Sequence, residues 1–141
     1  MSSDPIYAND RERVVFEFLH AMGPTAPDVQ AAYEKYLADD CVWENTGFPP
    51  CEGKEAILDF LSALLEMTGF VRVEATFRNL ASKGDTVLSE RVDDMMKADG
   101  SLWLRFPIMG TMRVGADGLI HEWRDYFNPM EAVEAIMGSP G

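Results

Sequence analysis

Arg91 and Asp93 lie two residues apart in residues 86–96, a stretch whose polar and apolar residues alternate as in a β-strand. Side chains two apart on a strand point the same way, so Val87, Ser89, Arg91, Asp93 and Met95 share a face. A second such stretch, residues 119–127, sets Leu119, His121, Trp123, Asp125 and Phe127 on one face, where Asp125 is the sole carboxylate. Burying a lone carboxylate costs on the order of several kcal/mol unless it is paired, so Asp125 needs a partner, and Arg91 is the best candidate. An Asp–Arg–Asp line facing a void can hold one carboxyl protonated and the other ionised, an acid and a base in one site. The same trio also fits a buried structural ion pair, and periodicity alone leaves both readings open. Asn45 shares a face with Trp43 and Cys41 on a third short strand, residues 41–45, where its amide could orient a water or satisfy a strand end.

The 141-residue chain is long enough for one hydrophobic core and short for two, so residues 1–141 are expected to form one domain. Its 24 Asp and Glu against 12 Lys and Arg give a net charge of -12, which opposes the phosphate backbone and argues against nucleic acid as a partner. The same charge opposes an anionic membrane surface, and no apolar run approaches the roughly 20 residues a spanning helix needs. Residues 1–9 lack the basic and apolar parts of a secretory signal, so a cytoplasmic location is the expectation. Cys41 and Cys51 match no zinc spacing and are read as reduced packing residues, and no metal site is expected. His20 falls between the buried positions of a helix and is expected to face solvent. His121 shares the Asp125 face and is a secondary candidate for a polar group in the site.

Four helices and a sheet must position these side chains. Residues 10–22 place Val15, Phe18, Leu19 and Met22 at helical spacing and stop at Gly23–Pro24; a second helix follows Pro27, carrying Val29, Ala32, Tyr33, Tyr36 and Leu37. Gly53 opens a third, with Ile57, Phe60, Leu61, Leu64 and Leu65 as its stripe. From Phe70 the period shifts to two, with strands near residues 71–80, 86–96, 102–114 and 119–127 separated by turn signals at residues 83–85, 99–100 and 117–118. Short turns imply antiparallel neighbours, and helices before sheet imply an α+β fold, with a curved, mostly antiparallel sheet around a pocket covered by the N-terminal helices. A last helix starts where Asn128 can cap, Pro129 can occupy the first turn and Glu131 can complete a capping box.

Ser89-Glu90-Arg91-Val92-Asp93, Trp123-Arg124-Asp125-Tyr126-Phe127, and Trp43-Glu44-Asn45 followed by Pro49-Pro50 closely resemble, in order and spacing, the motifs of limonene-1,2-epoxide hydrolases. The similarity runs from the first helix to the last and takes in the Gly53-Lys54-Glu55-Ala56 helix start and the Ile108-Met109-Gly110 strand. It implies a cone-shaped fold like those of nuclear transport factor and polyketide cyclases, a homodimer, a deep apolar pocket and no cofactor. It also implies that Asp93 is a general acid, Asp125 a water-activating base, Arg91 the bridge between them and Asn45 a holder of the attacking water. The substrates would then be a small apolar epoxide and water, and the product a vicinal diol. Leu19, Met22, Leu64, Met95, Phe106, Ile108 and Phe127 are the implied pocket lining, with Trp43 beside the attacking position; Trp103 and Trp123 are read as packing residues.

One departure is chemical. The family generally carries a tyrosine at the position of Trp43, and an indole N–H donates but does not accept. Two rivals stand beside hydrolysis: an epoxide-opening cyclase or isomerase on the same fold, and a non-catalytic binder of hydrophobic ligands in which the charged trio is structural.

Overall fold

The computed structural model describes residues 6–137, so the two ends of the expected single unit, residues 1–5 and 138–141, fall outside the described residues. Helix α1 (Asp10–His20) begins where the Asn9 side chain accepts the Glu12 backbone N–H at 2.9 Å, and it buries Val15, Phe18 and Leu19. Helix α2 (Ala26–Tyr36) opens with a capping box between Thr25 and Asp28, with Pro27 in its first turn, and buries Val29, Ala32 and Tyr33. Helix α3 (Lys54–Thr68) buries Ile57, Leu61 and Leu65 and stops at Gly69, whose φ of 77° is the left-handed cap that glycine takes without penalty. Helix α4 spans Pro129–Met137. The Asn128 side chain accepts the Met130 N–H at 3.0 Å, while Glu131 closes no box with Asn128 among the described residues. The expected cap at Asn128 and the proline in the first turn are both present, and the box with Glu131 is not.

Among the described residues six strands form one sheet: β1 (Leu37–Asn45), β2 (Cys51–Glu52), β3 (Phe70–Lys83), β4 (Thr86–Lys97), β5 (Leu102–Val114) and β6 (Ile120–Tyr126), in the order β2-β1-β6-β5-β4-β3. β3 to β6 make the antiparallel meander that the turn signals imply. The fold is therefore α+β with a curved, mostly antiparallel sheet. β1 is longer than expected because Leu37 and Ala38 are already buried, with Leu37 opposite Ile120. It runs parallel to β6, with Trp43 beside Trp123 and Asn45 beside Asp125. That pairing, which no local signal announces, is what carries Asn45 to the site.

The helices cover one face of the sheet, and the core between the layers runs through Phe18, Leu19, Leu37, Ile57, Leu61, Val87, Met112 and Trp123. Burial along β4 alternates as its period requires, with Val87, Ser89, Arg91 and Asp93 all inside. Among the described residues no helix is long and apolar enough to cross a membrane.

His121 departs from the expectation. The register slips between Arg113 opposite Glu122 and Val114 opposite Ile120, so β6 carries one extra residue there and its alternation changes phase. Ile120 takes the inward position, and His121 lies between Asp40 and Asp117, bonding to them at 2.8 and 3.0 Å, away from the site. His20 is exposed, as expected. Cys41 and Cys51 are free thiols; burial foremost, then the charge of Asp40, pushes Cys41 up to about 12, which makes it an unreactive packing group.

Candidate active site

Arg91 rises from the middle of β4 into the space between sheet and helices, and at 1% exposure it has no route to water. Its guanidinium is bonded along every edge: Nε donates to Asp93 Oδ1 at 3.0 Å, Nη1 to Ser89 Oγ at 3.0 Å and Nη2 to Asp125 Oδ2 at 2.8 Å. A rigid planar fork suits this task, because one group fixes three partners in a single plane. Asp93 and Asp125 are 8% and 5% exposed. The strand ladder explains the convergence: Asp93 and Arg91 are same-face neighbours on β4, and β5 separates them from Asp125 on β6. There Gly110 stands between Ser89 and Asp125 and supplies no side chain to block the pair.

The two carboxyl groups are held differently. Both oxygens of Asp125 accept hydrogen bonds, Oδ2 from Arg91 and Oδ1 from Trp123 Nε1 at 3.0 Å. Asp93 accepts only at Oδ1, and its Oδ2 has no donor among the described residues. One guanidinium balances one negative charge, so a buried trio with both carboxyls ionised would keep an uncompensated charge. Burial foremost raises Asp93 above the usual carboxylate range; Arg91 opposes this, and the charge of Asp125 adds to it. Burial would lower Arg91, but Asp125 and then Asp93 hold it above its ordinary value, so the bridge stays cationic. The arrangement sets a carboxyl with raised proton affinity and a free oxygen opposite a carboxylate with two donors.

Both acids face a cavity of about 250 Å³. All seven apolar residues expected to line it do so: Leu19, Met22, Leu64, Met95, Phe106, Ile108 and Phe127. Trp43, Asn45, Asp93 and Asp125 line it too, while Arg91 stays behind the carboxyls. Asn45 makes no side-chain hydrogen bond among the described residues, which leaves its amide free to face a ligand or a water beside Asp125.

The expectation that Trp103 and Trp123 merely pack is corrected. Both line the cavity, and Trp123 donates to Asp125, because an indole N–H brought inside beside a carboxylate finds it as a partner. Trp43 stacks on Trp123 with ring centroids 4.4 Å apart and planes 13° from parallel, and its own Nε1 is buried with no partner among the described residues. Ser89, Tyr33, Phe48 and Phe60 also belong to the site or its wall and were not singled out from sequence for it. Tyr33 left a signal: a phenol in a buried helical stripe needs a polar partner, which an ordinary core position does not offer. Phe48 left none, since its loop has no period.

No group of His, Cys, Asp and Glu among the described residues is placed to hold a metal ion. The family model for the limonene-1,2-epoxide hydrolase catalytic domain matches residues 9–138. Among solved structures, a Mycobacterium tuberculosis LEH-like epoxide hydrolase is 29% identical over 91% of this chain and 90% of that one, with a TM-score of 0.67. A Jannaschia sp. CCS1 protein, provisionally described as a SnoaL-like polyketide cyclase, superposes with a TM-score of 0.72 at 18% identity, covering 99% of both chains. An NTF2-like protein of unknown function from Burkholderia pseudomallei gives a TM-score of 0.74 at 13% identity over 93% of this chain and 100% of that one. The last two establish a shared fold alone.

Proposed function

We propose that this chain, which belongs to the limonene-1,2-epoxide hydrolase family, adds water to a small apolar epoxide in one step to give a vicinal diol. One observation carries the proposal: a single buried guanidinium donates to two carboxyl groups that face the same apolar cavity. Epoxide opening by water needs a proton taken from the nucleophile and a proton given to the oxirane oxygen. Asn45 and Asp125 hold the water, Asp125 removes its proton as the oxygen attacks carbon, and the C–O bond breaks as Asp93 protonates the leaving oxygen. The reaction leaves Asp125 with a proton and Asp93 without one, and Arg91 stays between them while the protons re-equilibrate. Each general acid or base contribution is worth roughly 10²- to 10⁴-fold. No covalent enzyme intermediate and no cofactor enter the scheme.

The chain also forms a homodimer under this proposal. The outer sheet face supports it, where exposed Met109 and Tyr126 are ladder neighbours and exposed Leu88 lies close by on β4. Sedimentation at micromolar concentration checks this, with a monomer as the contrary result.

A second reading is favoured by Trp43, whose indole cannot accept a proton from water. In that version a hydroxyl of the substrate replaces water at Asp125 and a cyclic ether forms. A panel of terpene and aryl epoxides with product analysis separates the two: diol supports hydrolysis, cyclic ether the cyclase, and a shifted double bond an isomerase. Ligand retention without turnover, unaltered by Asp93→Asn, would make the protein a binder.

A further inference from the structure

We infer that the Tyr33 hydroxyl is the third holder of the attacking water, so that helix α2 as well as the sheet contributes to the chemistry. The inference rests on the hydrolytic reading of the site and extends it to a residue outside the Asp–Arg–Asp trio and Asn45. Tyr33 is 5% exposed, and its hydroxyl bonds to no group among the described residues. Buried phenols almost always find a hydrogen-bond partner, so an unpaired one on a cavity wall calls for a partner within the cavity. The ring is fixed edge-on against both stacked indoles, 5.5 Å from Trp43 at 72° and 5.5 Å from Trp123 at 62°. It lines the same cavity as Asn45, Asp93 and Asp125. Burial foremost, then the charges of Asp125 and Asp93, holds the phenol well above its ordinary value, so it remains a neutral O–H donor beside the two acids.

A water molecule has two protons to give and two lone pairs. At this site it gives one proton to the Asp125 carboxylate and the other to the Asn45 amide oxygen. It accepts the Tyr33 O–H on one lone pair, and the second lone pair is left for the oxirane carbon. Trp43 cannot stand in for Tyr33, because its N–H is buried and has no partner among the described residues.

Tyr33→Phe removes one oxygen and keeps the ring. On an epoxide that the native protein hydrolyses, the variant is expected to lose about 10²-fold in kcat, the scale of a misplaced reactant, with KM within about twofold and an unchanged melting temperature. Native kcat in the variant overturns the inference, as does a loss confined to KM or stability. A high-resolution crystal structure of the native protein and the variant decides the matter even if no epoxide is turned over, the result that defeats the hydrolytic reading by itself. A water within hydrogen-bond reach of the Tyr33 hydroxyl, Asn45 and Asp125, displaced in Tyr33→Phe, supports the role. A native structure with no water there overturns it.

Discussion

Gly110 and Asp125 face each other across the β5–β6 ladder, and a Cβ at Gly110 would come within 2.6 Å of Asp125 Oδ1 and 2.6 Å of Arg91 Nη1. The glycine is required for space rather than for a left-handed backbone, since its φ is not among the positive ones. Gly110→Ala is expected to push the guanidinium away from Asp125, destabilise the fold by about 1–3 kcal/mol and reduce turnover by about 10²-fold. Denaturant melts and steady-state kinetics measure the two effects, and a variant with native values in both would show that the ion pair has room to yield.

Asp93→Asn keeps an acceptor for Arg91 Nε and removes the proton that the oxirane oxygen needs. Turnover is expected to fall by roughly 10²- to 10⁴-fold without a lower melting temperature at neutral pH, because an amide carries no charge to bury. Asp94, on the opposite face of β4 and paired with Arg105 at 2.7 Å, is the control. Asp94→Asn is expected to leave kinetics unchanged.

The raised proton affinity of Asp93 also fixes a pH dependence. A general acid works in its protonated form, so activity is expected to persist above the ordinary carboxylate range and to fall as pH rises through the raised value. Stability moves with the same sign. The folded state holds this proton more tightly than the unfolded chain, so unfolding free energy declines between the ordinary and the raised value as pH increases. Melting curves of the native protein and Asp93→Asn, followed across that interval, check this: their difference should shrink toward acid. A difference independent of pH would contradict it.

Trp43→Tyr restores a group that both donates and accepts and removes a buried indole N–H that has no partner among the described residues. Epoxide hydrolysis is expected to be retained or raised. A collapse of turnover in a folded variant would give the indole itself a part in the reaction.

Much of the site was legible because strand periodicity is strict: Arg91 and Asp93 had to share a face, and the lone carboxylate on β6 had to find a cation. The seven apolar wall residues followed from the family likeness of the motifs. What escaped is non-local. The extra residue on β6 that turns His121 away leaves no local mark, since a bulge is defined by the partner strand. The parallel β1–β6 pairing that brings Asn45 to Asp125 joins segments 80 residues apart. Trp123 and Tyr33 looked like packing because aromatic residues serve core and cavity wall alike, and only the position of a polar tip tells them apart.

Direct attack by water is tested most closely by a single turnover in ¹⁸O-water, with enzyme in excess over an epoxide the protein opens. The mechanism built on Asp125 as base predicts one labelled oxygen in the diol and none in the protein. Label incorporated into the Asp125 or Asp93 carboxylate, with unlabelled diol in the first turnover, would mean that a carboxylate attacks carbon and would contradict the one-step scheme.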